Sequence, residues 1–400
     1  MTSSTPYSTI RHWHRRTRTL ARKPLRPRTP QGRLQATHGG LRAACVAGKR
    51  MGSFRLLLGR VLAREGDLYA AITVCPCRVH ADLFGDNDHA MYPLAPHATG
   101  ETCLLVEIAI GDAYGAGFEF CARERIVQHN TLAAYASHAL GSEAGRYTDD
   151  TQMSIAVAEV LLSEPAPGSD AFAEAFVRCY RRDPRNGYAK GLQGLLDECA
   201  DGAALRQRIR PASRRNGAAM RSVPLGLISD KTQLAQTARA QAVVTHDTPE
   251  GVTSAHVVAL MAHSLLYDGV ELADLSAQVK HHTGFQLRND WAAEVECDAI
   301  QTLHAVNTAL QRNRRLSDLL RDCVDFGGDV DSVAAIAVGI ASLSPEYQSD
   351  LPARLVDGLE DGMYGRTFLA RFDVELGGRF PALAGCFAPS LVPEGNSIWR

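Results

Sequence analysis

The 400 residues carry 43 Lys or Arg against 44 Asp or Glu, with 45% hydrophobic and 22% charged side chains. These values fit a folded globular chain of one large or two ordinary domains and argue against a fibrous or wholly disordered one. No run of about 18 apolar residues occurs, so no membrane span is expected.

The charge is unevenly placed. Residues 1–64 hold 15 Lys or Arg and no acid, and Glu65 is the first. The remainder therefore carries 28 basic and 44 acidic side chains, a balance of −16. Segments such as Arg15-Arg16-Thr17-Arg18 lack apolar periodicity, and residues 1–100 read as a disordered basic extension. The composition also fits an organelle transit peptide, a polyanion-binding arm, or translation from a start upstream of Met51 or Met91. No aromatic-interleaved basic motif or zinc finger supports nucleic-acid binding. The apolar run from Phe54 to Leu62 is expected to be a helix. Ten cysteines are scattered, and Cys75-Pro76-Cys77 lacks the second pair of a structural zinc site. Reduced thiols and a cytoplasmic location are the expectation.

From residue 102 the pattern turns helical. Leu104, Ile108, Gly111, Asp112 and Gly115 fall on one stripe of a helix. Met153, Ala156, Val157, Val160 and Leu161 form a second face, ended by Pro165-Ala166-Pro167-Gly168. Further helices are expected at 171–180, 233–245, 252–267, 291–311, 332–343 and 352–360. Strand signals are weak, and no βαβ alternation appears. An all-α domain over residues 102–385 follows.

Two acidic clusters open apolar helical runs: Thr148-Asp149-Asp150 and Gly327-Gly328-Asp329-Val330-Asp331-Ser332. Each alone reads as a capped helix. Together they offer four carboxylates and two hydroxyls, the hard oxygen ligands that Mg²⁺ or Mn²⁺ selects. Asp112 suits a buried orienting group, and Glu119 suits a metal ligand or a general acid/base. The small-residue stretch from Asn216 to Gly226 suits close approach to a phosphate or ribose, or tight helix packing. His246 precedes another helix and on its own reads as structural.

In this order the motifs GDAYGAGFE, RYTDDTQM, NGAAMRSVPLG and GGDVDSVAAIA resemble the ADP-ribosylglycohydrolase family over about residues 102–380. The resemblance implies a compact orthogonal multi-helix bundle with a two-metal cleft holding two Mg²⁺ or Mn²⁺ ions. It implies release of ADP-ribose from modified arginine, serine or related acceptors, and a monomer. Thr148, Asp149, Asp150, Asp329, Asp331 and Ser332 would bind metal, and Glu119, Asp149 and Asp331 are the candidates for acid/base work. Ser213, Asn216, Gly217, Met220 and His246 would contact ADP-ribose. The family's last motif commonly reads GGDTDT, where Val330 and Ser332 stand here; Ser332 keeps an oxygen ligand. Glu107 stands where Gly is frequent, and Arg214 and Arg215 where small or aromatic residues are. The two arginines would favour an anionic ligand or remain solvated. The partner implied is an ADP-ribosylated protein or ADP-ribose itself. The alternative is a non-catalytic ADP-ribose binder or an immunity protein against an ADP-ribosyltransferase toxin. All-α nucleotide pyrophosphohydrolases are disfavoured by the lack of paired Glu helices.

Overall fold

The computed structural model describes residues 104–137 and 143–386, and the basic segment, the 54–62 run and the C-x-C pair lie outside them. The described residues form α1 (Leu104–Ala116), α2 (Arg123–His129), α3 (Asp149–Ser163), α4 (Ser169–Arg182), α5 (Lys190–Glu198), α6 (Gly202–Arg208), α7 (Gly217–Met220) and α8 (Lys231–Ala242). They continue as α9 (Pro249–Tyr267), α10 (Leu275–Thr283), α11 (Ala299–Arg312), α12 (Leu316–Asp325), α13 (Val330–Ala341), α14 (Ala353–Gly358), α15 (Arg366–Arg379) and α16 (Pro381–Cys386). Only isolated bridges, and no named strands, occur among them. The all-α expectation holds.

The centre of the domain is the α1–α13 pair, and every residue of both helices is buried. This corrects the one-stripe reading of α1: the helix is surrounded, so its apolar residues face all sides. Each Leu or Ile buried there is worth roughly 2 kcal/mol over exposure. The close approach depends on missing side chains. A Cβ on Gly115 would stand 2.5 Å from the Cα of Asp331, and one on Gly111 would stand 2.6 Å from the Ala334 carbonyl oxygen. Larger residues there would push α1 off the helix start that carries Asp331.

Most expected helices appear within three residues of their sequence boundaries, and side-chain caps account for the earlier starts of α8 and α9. Thr248 accepts from the Gly251 N–H at 3.1 Å and starts α9 earlier, and Asp230 accepts from Gln233 at 2.7 Å and starts α8 earlier. The 291–311 helix is the exception. It begins only at Ala299, capped by Asp298, which accepts from Ile300 and Gln301. The residues before it are held extended: the Val295 N–H donates to the Gly327 carbonyl at 3.0 Å and the Asp329 N–H to the Val295 carbonyl at 2.8 Å. Tertiary pairing overrides local helix preference here.

Asp373 of α15 caps the start of α1, accepting from the N–H groups of Leu105 at 2.9 Å and Val106 at 3.3 Å. Glu107 is buried beside it, and its Oε2 has no hydrogen-bond partner among the described residues. Burial, and then the Asp373 charge, pushes Glu107 up to about 8; burial pushes Asp373 up to about 7. A carboxyl that binds its proton more tightly in the fold than in the unfolded chain contributes stability at low pH, lost as pH rises towards the folded pKa. Glu107→Gln keeps the shape and removes the ionisation penalty. We expect it to stabilise the protein at pH 8 by on the order of a few kcal/mol and to change little near pH 4. Thermal unfolding at the two pH values checks this.

Candidate active site

The start of α3 is fixed from α1. Asp112 accepts from the Thr148 N–H at 2.9 Å, the Thr148 hydroxyl at 2.8 Å, the Thr151 N–H at 2.9 Å and the Thr151 hydroxyl at 2.6 Å. Burial raises Asp112 to about 6, while these four donors work in the opposite direction. The expected orienting role of Asp112 is thereby given a geometry. From the other side, buried Arg185 stacks 3.5 Å over the Tyr147 ring, donates to the Tyr147 carbonyl at 2.9 Å, and pairs with Asp183 and Glu360. The residue before Thr148 is thus held as firmly as those after it.

The start of α13 is set by a glycine turn. Gly328 has φ +86, and a Cβ there would lie 2.0 Å from the Val295 carbonyl oxygen. Only glycine accommodates both the left-handed backbone and the contact. The turn delivers Asp329, whose Oδ2 accepts from Asn216 Nδ2 at 2.9 Å, and Asp331, whose Oδ1 accepts from the Ser332 N–H at 2.9 Å.

The two helix starts and the residues after α1 meet at one cavity of about 700 Å³. Glu119, Asp149, Asp150, Asp329, Asp331 and Ser332 all line it. Glu119, Asp329 and Asp331 place one ligand atom each within 4.8 Å of one another. Asp150 Oδ1 is buried with no hydrogen-bond partner among the described residues. Asp149, Asp150 and Asp331 are pushed well above the usual carboxylate range, by burial first and then by neighbouring carboxylates. Self-repelling carboxylates, a buried orphan oxygen and an all-oxygen donor set fit hard divalent cations.

Ser213, Asn216, Gly217, Met220 and His246 line the same cavity, so the sequence motifs do converge. Thr148 is the exception: it lies buried outside the cavity lining, with its hydroxyl proton directed to Asp112. Asn216 also has a bond within the cavity wall. Its amide nitrogen serves Asp329 and, at 3.1 Å, the Thr302 hydroxyl, so it braces the carboxylate cluster. Asn216→Ala should weaken divalent-cation affinity roughly tenfold, the usual cost of losing such a brace, in a calorimetric titration without substrate.

His246 packs against Gly217, where a Cβ would stand 2.8 Å from the ring. Burial, then the Arg221 charge, lowers its pKa to about 3, so the ring is neutral and does not serve as an acid at pH 7. Arg221 was not singled out from sequence. It is fully buried, stacks 4.4 Å over Phe176, donates to Thr245 at 2.8 Å, and its charge is disfavoured by burial to about 9. Arg214 turns outward to Glu250 at 2.6 Å, whereas Arg208, paired with Glu198, and Arg210 and Arg215 line the cavity. Phe120 and Cys297 also line it without having been anticipated. Cys121, Cys179, Cys199, Cys297 and Cys323 are free thiols. No described helix is long and apolar enough to cross a membrane.

Residues 104–383 match the ADP-ribosylglycohydrolase family. The chain belongs to that family. Among its relatives is an ADP-ribosylarginine hydrolase Tri1 of Pseudomonas putida (strain GB-1), 25% identical over 279 residues that cover 61% of this chain and 71% of that one. Another is an ADP-ribosylhydrolase ARH3 of Danio rerio, 29% identical over 180 residues, 42% of this chain and 48% of the relative. Among solved structures, an "ADP-ribosylglycohydrolase-related protein complex" superimposes with a TM-score of 0.56 at 24% identity, covering 70% of this chain and 96% of that one, which establishes a shared fold. Membership in this glycohydrolase family makes the cavity the catalytic centre to consider.

Proposed function

We propose that this protein is a Mg²⁺- or Mn²⁺-dependent hydrolase that removes ADP-ribose from modified protein side chains by cleaving an N- or O-glycosidic bond to arginine or serine. The observation that carries the reading is the convergence of Glu119, Asp149, Asp150, Asp329 and Asp331 on one cavity that also holds Ser213, Asn216, Gly217, Met220 and His246. Relatives named for ADP-ribosylarginine hydrolysis and ADP-ribosyl hydrolysis support the substrate class.

Asp149, Asp150, Asp329, Asp331 and Ser332, with Glu119, would hold two divalent cations. When bound, the cations neutralise the crowded carboxylates and supply Lewis-acid charge at the ribose hydroxyls and the water. Cleavage at the anomeric carbon develops oxocarbenium character, which anionic side chains nearby stabilise. Glu119 is the half-buried member of the group and lines the cavity. We assign it the proton transfer at the scissile bond, with Asp149 and Asp331 as the other candidates. Arg208, Arg210 and Arg215 give the cavity the positive charge that suits a diphosphate. Thr148 acts through Asp112 and the helix start.

Incubating the full chain with ADP-ribosylated arginine and serine peptides, with Mg²⁺ or with EDTA, tests the reading. Free ADP-ribose in the Mg²⁺ sample alone is expected. Ligand-induced thermal stabilisation by ADP-ribose without any product would instead indicate a binding protein.

A further inference from the structure

Arg221 is a buried cation whose hydrogen bonds lead to the cavity wall. Its Nε donates to Gln241 Oε1 at 2.5 Å, and its Nη2 donates to the Gln241 carbonyl at 3.1 Å and to the Thr245 hydroxyl at 2.8 Å. Gln241 is itself oriented, because its Nε2 donates to the Ala218 carbonyl at 3.0 Å and to the Ser222 hydroxyl at 2.9 Å. That leaves Oε1 for Arg221. A guanidinium has only donors, so the Thr245 oxygen accepts from it and keeps its own proton to give. Among the described residues, the other polar group on that hydroxyl is His246 Nδ1, at 2.6 Å. The Thr245 proton therefore goes to Nδ1, and the neutral ring carries its hydrogen on Nε2. Nε2 makes no hydrogen bond among the described residues, although His246 is only 6% exposed and lines the cavity. Gly217 makes room for it: a Cβ there would stand 3.1 Å from Nε2. A buried donor without a partner in the fold needs an acceptor, and the cavity is where one can enter.

We propose that Arg221 and Thr245 are positioning residues that hold His246 as the Nε2–H tautomer, so that its ring donates a hydrogen bond to an acceptor oxygen of ADP-ribose. The ligand in this assignment rests on the function proposed above; the tautomer does not. Arg221 and Thr245 act only through His246. The relay also closes other roles to the ring. With Nδ1 occupied by Thr245 and Nε2 carrying the hydrogen, His246 neither takes a proton from water nor binds a cation. It reads an oxygen that can accept, and the proton transfers stay with the carboxylates.

Long-range proton–nitrogen NMR spectra of the histidine-labelled full chain at neutral pH read the tautomer, with His246→Gln identifying the resonances. In wild type, Nε2 is expected as the protonated nitrogen and Nδ1 as the bare one. Thr245→Val keeps the shape and removes the hydroxyl. It should mix the two tautomers and weaken ADP-ribose binding roughly tenfold in a calorimetric titration, the scale of one hydrogen bond. Mn²⁺ binding without nucleotide should not change, because the relay touches none of the carboxylates. Thr245→Ser restores the hydroxyl and should recover both the spectrum and the affinity. Arg221→Met removes the donor that turns the Thr245 proton and should also mix the tautomers; if that variant does not fold, the Thr245 pair decides. A wild-type ring protonated on Nδ1, wild-type affinity in Thr245→Val, or a Thr245→Ser variant as weak as Thr245→Val would each overturn the assignment. Wild type that binds no ADP-ribose would instead bring down the function on which the ligand rests.

Discussion

Asp331→Asn is expected to abolish divalent-dependent release of ADP-ribose and, at the same time, to stabilise the metal-free protein. Asp331 is buried among Glu119, Asp329 and Asp150, and that burial together with those charges drives its carboxyl well above the usual range. Asn has nearly the same shape and can still accept from the Ser332 N–H. What it lacks is the charge that a cation needs and that its neighbours resist. The loss of turnover should be at least on the order of a thousandfold, the scale of removing a principal electrostatic contributor. The gain in stability has a definite pH dependence. The raised carboxyl keeps its proton in the fold at pH values where the unfolded chain has lost it, so metal-free stability falls as pH rises above about 4. The variant's advantage should therefore be absent at pH 4 and grow towards pH 8. Thermal unfolding in EDTA at both values reads it, and a less stable variant at pH 8 would refute a self-repelling cluster.

Asp112→Asn should do the opposite to stability. Asp112 accepts four hydrogen bonds from Thr148 and Thr151 within the core. Asn offers one acceptor oxygen and turns an NH₂ group towards N–H and O–H donors that lose their partner. Buried donors left unpaired cost about 1–3 kcal/mol each, so a destabilisation of roughly 3 kcal/mol or more is expected. Turnover should fall as well, because the α3 start that carries Asp149 and Asp150 is no longer held. The contrast in sign between two buried Asp→Asn changes separates an orienting carboxylate from a cation-binding one. Denaturant unfolding of both variants in EDTA makes the comparison.

What the sequence made legible was local. Thr148 as a cap, the glycines before Asp329, and the acids opening α3 and α13 are all signals carried within a few residues. The order of the motifs supplied the convergence. What escaped was decided across the chain. The residues from Trp291 to Asp298 have helical composition, but Val295 pairs with the Gly327–Asp329 turn and keeps them extended. Nothing around Arg221 marks it as buried, because its partners Gln241 and Thr245 lie twenty or more positions away. Phe120 takes its left-handed backbone from a bond to Gly328, and Asn216 spends its amide on Asp329, neither of which is written locally. The α1 stripe failed for another reason: a helix packed on all sides carries no polar face to read.

The central claim is that the two acidic clusters form one binuclear cation site. Calorimetric titration of Mn²⁺ into the metal-free full chain tests it without any substrate. Two ions bound per chain are expected, with binding lost or halved in Asp331→Asn. A wild-type chain that binds no Mn²⁺, or an Asp331→Asn variant that binds it as wild type does, would contradict it.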